Sequence, residues 1–332
     1  MLPYFLPVCI FILYDYKGCD NVIKPRPLKN GDTVGIVAPS SPTRNLDSIE
    51  KSVKVLEEQG FKVEVGDSCR DRYGHLSGSD EVRARDINKM FWDKSIQGIF
   101  CIRGGYGTPR ILDMLDYDNI RKNPKIFLGY SDITAIHIAL NEICNLVTFH
   151  GPMTVSDMID DFDSFSKESY LKAITSTEPL GNLSNPSGIE IKSLNPGTAQ
   201  GKIVGGNLSL IASTMGTPFE INTKGKILLI EDVGEYTYAI DRMLTQLKLA
   251  GKFEDCNGII LGDFRDCEPE HKDYGLSLMQ VFKDIIVPAN KPTIYNVMAG
   301  HCNPKLTIPL GVEAQVNGDN CSVAIIENAL NK

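Results

Sequence analysis

From Thr33 onward the apolar positions of this chain alternate between two periods. VGIVAP and IQGIFCIR are short apolar runs and FKVEVG alternates, as strands do; LDSIEKSVKVLEEQ, closed by Gly60, and EVRARDINKMFW repeat every three to four residues, as helices do. Strand–helix alternation of this kind builds parallel sheets covered by helices. A second alternation begins at Lys202, with LIEDV, a helix over residues 241–250, GIILGDF, a helix over 276–286, PTIYNV and a hairpin-like end, AQVNGDNCSVAII. Residues 156–201 are rich in Ser, Asp, Asn, Gly and Pro, the composition of a connecting region. The pattern predicts an α/β protein of two domains: an N-terminal extension (1–26), a parallel-sheet domain (27–155), the connecting region (156–201) and a C-terminal α/β domain of mixed strands (202–332).

The run KIFLGYSDITAIHIAL, residues 125–140, places a serine where the two periods meet. Ile126, Phe127 and Leu128 read as a buried strand, and Ile133, Ile136, His137 and Leu140 recur at helical spacing, so Ser131 falls at the strand-to-helix turn. A tight corner exposes a hydroxyl beside helix N–H groups, as a nucleophile requires. Ile133 stands where the second glycine of a G-x-S-x-G elbow would be, which argues against an ordinary α/β-hydrolase. The competing reading is that Ser131 or Asp132 caps the helix.

A nucleophilic serine needs a base, and the chain has five histidines. His137 lies on the helix after Ser131 and reads as a packed side chain, and His150 follows an apolar stretch as a second choice. His301, in the Gly- and Pro-punctuated loop AGHCNPKLTIPLG after PTIYNV, is the preferred base, because loops at strand ends carry reactive side chains. An orienting carboxylate is offered by GKILLIEDVGEYTYAIDRML, where Glu231, Asp232 and Glu235 are all candidates. Asp232 and Glu235 also read as acids at the start of the following helix, favourable to its dipole.

Together these segments resemble the LD-carboxypeptidases of peptidase family S66, which include muramoyltetrapeptide carboxypeptidases and microcin C immunity peptidases. The likeness runs through LKNGDTVGIVAPSSP, IRGGYGTPRILDMLDY, GYSDITAIH, IEDVGEYTYAIDR and GHCNPKLTIPLG, in the family's order, over nearly the whole chain after the first two dozen residues. The resemblance implies Ser131 as nucleophile, His301 as base and Glu231 as the acid that orients it, with the backbone N–H groups of Gly105 and Asp132 as the oxyanion hole. It also implies a homodimer, a reaction without metal or other cofactor, and cleavage between an L-centred diamino acid and a terminal D-alanine in a murein-derived peptide. Arg103, just before the glycine loop, is a candidate for binding a substrate carboxylate. The alternative within the same chemistry is hydrolysis of aminoacyl-nucleotide analogues, which calls for an aromatic platform under a nucleobase. Trp92, the sole tryptophan, is expected in core packing, and the connecting region carries only Phe162, Phe165 and Tyr170, so murein peptide is the favoured substrate. A catalytically silent muropeptide binder is the alternative from another class.

Composition trims the remaining options. With 332 residues, 42% hydrophobic and 23% charged, the chain is an ordinary globular protein long enough for two domains. A formal charge of −8 and no basic cluster argue against a nucleic-acid partner. RGGYG lacks both the P-loop ending and the dinucleotide fingerprint, which disfavours a nucleotide-binding oxidoreductase. Nine scattered cysteines, with no C-x-x-C, indicate reduced thiols and a cytoplasmic setting. The opening MLPYFLPVCIFILY is apolar, yet short for a bilayer span and without a basic n-region or small-residue cleavage site. It reads as an atypical extension or a misplaced start codon without stable membrane insertion, export through it being the alternative.

Overall fold

The computed structural model describes residues 21–160, 162–269 and 275–332; the apolar opening segment and His271 lie outside them. Among the described residues the first sheet takes β1 (Thr33–Val37), β2 (Lys62–Val65), β3 (Ile96–Cys101), β4 (Ile126–Gly129) and β5 (Thr148–His150), with α1 (Asp47–Glu58), α2 (Asp80–Trp92), α3 (Tyr117–Lys122) and α4 (Thr134–Cys144) between strands. The second half carries α5 (Ser164–Thr175), β6 (Gly181–Leu183), β7 (Lys192–Asn195), β8 (Thr198–Asn207), α6 (Leu208–Ser213), β9 (Ile227–Val233), α7 (Thr237–Leu249), α8 (Lys252–Asp255), β10 (Gly258–Arg265), α9 (Leu278–Ile285), β11 (Thr293–Tyr295), β12 (Ile308–Leu310), β13 (Glu313–Asn317) and β14 (Ser322–Ile325).

The sheet orders are β12-β5-β4-β3-β1-β2 and β6-β14-β13-β8-β9-β10-β11-β7. Strands β1 to β5 run parallel, as their helical crossovers require, and the second sheet mixes a parallel centre, β8 to β11, with antiparallel flanks. Two features depart from the sequence reading. Residues 156–201 contain α5, β6 and β7, because isolated apolar positions in a polar stretch, such as Tyr170, Ala173, Ile174 and Leu183, are enough to seat short elements on an existing core. Strand β12, from the C-terminal half, pairs antiparallel with β5 and closes the edge of the first sheet. That pairing is long-range, so local periodicity carries no sign of it.

The halves are joined by packing as well as by chain. One apolar cluster takes Ile36, Phe100 and Leu128 from the first sheet and Ile203, Leu229 and Ile260 from the second. Helix α4 is buried along nearly its whole length and packs on β8; Thr134 Oγ1 accepts from Asn207 N–H at 2.9 Å. A shared apolar core of this kind holds the two sheets in one relative position.

Candidate active site

Strand β4 is fully buried, and Tyr130 continues it in extended conformation. The chain then turns sharply: Ser131 has φ 65°, a left-handed conformation that costs a residue with a β-carbon on the order of 1 kcal/mol. A short 3-10 turn, Ser131–Ile133, leads into α4. Neither the turn nor α4 has a side-chain cap, so the capping role open in the sequence is not how Ser131 and Asp132 are used. The Asp132 carboxylate is buried and accepts from Ser40 Oγ at 2.6 Å and Thr108 N–H at 2.9 Å, which ties the corner to the loops after β1 and β3. Burial pushes this carboxyl above its ordinary value, and those hydrogen bonds oppose the shift.

The Ser131 hydroxyl meets a histidine. His301 Nε2 lies 3.1 Å from Ser131 Oγ, and His301 Nδ1 lies 2.7 Å from Glu231 Oε2. Glu231 sits in the buried centre of the second sheet with no exposed surface, opposite the irregularity in β10 between Leu261 and Phe264. Burial raises its carboxyl above the usual range and the hydrogen bond from His301 pulls the other way. A carboxylate can only accept, so the contact assigns the proton to Nδ1, whose N–H donates to Glu231 and leaves Nε2 to accept from Ser131 Oγ–H. Glycine is required beside it: a β-carbon on Gly300, at φ 107°, would stand 2.4 Å from Glu231 Oε2. A β-carbon on Gly104 would stand 2.8 Å from that of Ser131, so the glycine loop lies directly against the serine. Its neighbour Gly105 packs against Ser41 at φ 122°.

The other candidates separate clearly. Asp232 accepts from Asn207 Nδ2 at 3.0 Å and from Ser209 N–H at 3.0 Å, so it serves the start of α6 and not the following α7. Glu235 lies two residues before α7. His137 is buried and donates Nε2–H to Gly129 O at 2.9 Å, under the end of β4, as its reading as a packed histidine expects. His150 is buried at the end of β5, and His75 packs against Tyr106 at 5.5 Å between ring centres. Arg103 donates to the carbonyls of Gly104 and Pro42 and makes no ion pair among the described residues. Half-burial, and after it the charge of Arg44, hold its guanidinium below its ordinary value. Trp92 is a correction: it is 72% exposed, because it ends α2 on the face turned away from the sheet.

Sequence reasoning missed a group around His301. The Tyr130 ring meets the imidazole edge-on at 4.9 Å. Lys305 Nζ donates to Tyr130 Oη at 2.9 Å and to Asp157, while Tyr130 Oη–H donates to Asp157 Oδ1 at 3.1 Å. These residues come from the strand before Ser131, the His301 loop and the turn Thr154–Met158, so the network holds the histidine loop on the serine's strand. The adjacency of Tyr130 to Ser131 was the only sequence signal; the contacts with Lys305 and Asp157 are long-range. A cleft of 280 Å³ opens beside His301, with Tyr130, Asp157, Phe162, Arg265 and Lys305 among its walls. Trp92 lines a different surface groove that shares no residue with it. Among the described residues no group of three or more His, Cys, Asp or Glu converges as a metal site, and no helix is long and apolar enough to cross a membrane.

A serine at a strained corner, bonded through a histidine to a buried carboxylate, is equipped for acyl transfer. Similarity to known proteins agrees with that chemistry. Residues 34–151 match the LD-carboxypeptidase N-terminal domain and residues 200–316 the LD-carboxypeptidase C-terminal domain. A Bacillus subtilis (strain 168) protein described as a probable murein peptide carboxypeptidase is 44% identical over 300 residues, covering 89% of this chain and 91% of its own. The solved wild-type apo form of the microcin C7 self-immunity protein MccF superposes with TM-score 0.86 at 26% identity, over 93% of this chain and 100% of that one; MccF has also been solved with glutamyl sulfamoyl guanosine and with aspartyl sulfamoyl adenosine. The muramoyltetrapeptide carboxypeptidase of Oxalobacter formigenes gives TM-score 0.79 at 27% identity, over 90% of this chain and 100% of that one. With both domain models matched in order across two α/β domains, the chain belongs to the LD-carboxypeptidase family, peptidase family S66, and is a hydrolase of that family.

Proposed function

We propose that the chain is a serine LD-carboxypeptidase that releases terminal D-alanine from murein tetrapeptides. The observation that carries the reading is the hydrogen-bonded series Ser131 Oγ, His301 and Glu231, at 3.1 Å and 2.7 Å. In the proposed cycle His301 takes the Ser131 proton as Oγ attacks the peptide carbonyl. The backbone N–H groups of Gly105 and Asp132 receive the oxyanion, and His301 passes its proton to the departing amine. Water, activated by the same imidazole, then cleaves the acyl ester and returns the proton to Ser131 Oγ. Glu231 holds the imidazole in one tautomer throughout and stabilises it when protonated. The substrate assignment is supported by the B. subtilis relative; a homodimer in the cytoplasm completes the proposal.

The likeness to MccF favours a second reading, in which the same relay hydrolyses aminoacyl-nucleotide analogues. Of the two rings Tyr130 and Phe162 on the cleft wall, Tyr130 is held by Lys305 and Asp157, which leaves Phe162 for a nucleobase, whereas Trp92 lies on another groove. The test is to incubate wild type and Ser131→Ala, with EDTA present, with L-Ala-γ-D-Glu-meso-diaminopimelyl-D-Ala and separately with glutamyl sulfamoyl guanosine. D-Alanine release by wild type alone is the expected result. Hydrolysis of the nucleoside conjugate with the tetrapeptide left intact would replace the first reading with the second.

A further inference from the structure

In a serine hydrolase the base that deprotonates the nucleophile also protonates the leaving amine, so the leaving half of the substrate lies on the imidazole's side of the serine. The 280 Å³ cleft is on that side: His301 forms part of its wall and Ser131 does not. The charges in this wall are not equivalent. Lys305 and Asp157 are committed to each other and to Tyr130, and their side chains are only 4% and 12% exposed. Asp160, 78% exposed, stands 3.8 Å from Lys51.

Arg265 is different. It ends β10, in register with Val233 on the strand that carries Glu231, at the C-terminal edge of the parallel strands where ligands of such sheets collect. Its side chain is 48% exposed, and among the described residues its one carboxylate at ion-pair distance, that of Asp263, lies 4.0 Å from Nε. No hydrogen bond from its guanidinium to protein is formed among the described residues, which leaves the planar fork open to a bidentate anion. Burial pushes the Asp263 carboxyl above its ordinary value, and the charge of Arg265 opposes the shift. Arg103, by contrast, is turned onto the backbone carbonyls of Gly104 and Pro42 and is absent from the cleft wall.

We infer that Arg265 binds the carboxylate of the departing C-terminal amino acid and holds that residue in the cleft beside His301. The inference rests on the LD-carboxypeptidase reading and specifies which side chain recognises the free terminus. It makes Arg265 a substrate-binding residue on the leaving-group side, with no part in proton transfer.

The experiment compares wild type, Arg265→Gln, Arg265→Lys and Arg103→Gln on the tetrapeptide, measuring kcat and KM, inhibition by D-alanine and by D-alaninamide, and the rate at which a fluorophosphonate labels Ser131. Arg265→Gln is expected to raise KM about 30-fold, equivalent to about 2 kcal/mol, with kcat changed far less. It should abolish the preference for D-alanine over D-alaninamide as inhibitor and leave Ser131 labelling at the wild-type rate, which reports an intact fold and relay. Arg265→Lys should fall between, keeping charge without the fork. Retention of the wild-type KM and inhibitor preference by Arg265→Gln, or their loss in Arg103→Gln alone, would overturn the inference while leaving the proposed activity standing. A wild type that hydrolyses glutamyl sulfamoyl guanosine and leaves the tetrapeptide intact would remove the proposed activity and this assignment together.

Discussion

Two parallel strands end at the candidate site, and they end in opposite ways. β4 delivers Ser131 through a corner, with φ 65° at the serine and its side chain partly open to solvent. β9 delivers Glu231 while still a strand: Glu231 pairs with Asn207 of β8 and has no exposed surface. The contrast follows from the two tasks proposed for them. An attacking oxygen must reach a substrate arriving from water, and local strain is the cost of pushing it out. An orienting carboxylate works best dry, where its hydrogen bond to the imidazole is not shared with water. Whether the chain turns at the polar residue or after it separates the two outcomes.

The buried end is expected to be the more sensitive to small changes. Glu231→Gln keeps shape but loses the charge facing imidazolium and allows the wrong tautomer, so kcat should fall about 10⁴-fold. A loss below tenfold, measured on a variant with wild-type melting behaviour, would remove Glu231 from the relay. Gly300→Ala presses a β-carbon into Glu231 Oε2, and a displacement of roughly 1 Å should lower kcat/KM about 100-fold. Unchanged kinetics in that variant would mean that the His301 loop tolerates the shift.

The support of the exposed end is expected to be acid-sensitive. Burial lowers the His137 imidazole from 6.5 to about 4, with the bond to Gly129 opposing. The unfolded chain therefore binds more protons between those values. Stability should be complete above pH 6.5 and decline as pH drops towards 4, by up to ~3 kcal/mol from this residue. His150, also lowered by burial, adds a decline of the same sign. Urea unfolding at pH 7 and pH 5 should show a smaller acid loss in His137→Gln than in wild type; equal losses would show that His137 does not contribute. The smallest effect concerns the corner itself. Ser131→Gly should raise stability by about 1 kcal/mol while abolishing activity, since glycine adopts φ 65° without a β-carbon penalty. Lower stability than Ser131→Ala would show that the corner is not strained.

Much of this was legible along the chain. The period switch at 126–140 located β4, the turn and α4, and the acidic pair after ILLI located the end of β9, because strand and helix periodicities are local. Choosing among Glu231, Asp232 and Glu235 was not a local matter. Glu231 and Asp232 are neighbours near the end of β9 and Glu235 lies just beyond it, and what separates the first two is which partner stands opposite: His301 for Glu231, Asn207 and Ser209 for Asp232. Trp92 shares the outward face of α2 with Arg85 and Lys89, so its spacing along the helix, and not its aromatic character, decides its exposure.

Periodicity, punctuation and motif order were therefore enough to specify an α/β chain in two halves, a serine at a strand-to-helix corner and a short roster of partners for it. The 170-residue separation of Ser131 from His301, the crossing of β12 into the first sheet, the lysine–tyrosine–aspartate network behind the imidazole and the position of Arg265 on the cleft wall belong to the folded molecule alone. The division is physical: dihedral preferences and apolar period act over a few residues, whereas hydrogen bonds at 3 Å between distant segments exist only once a shared core has set both sheets in place.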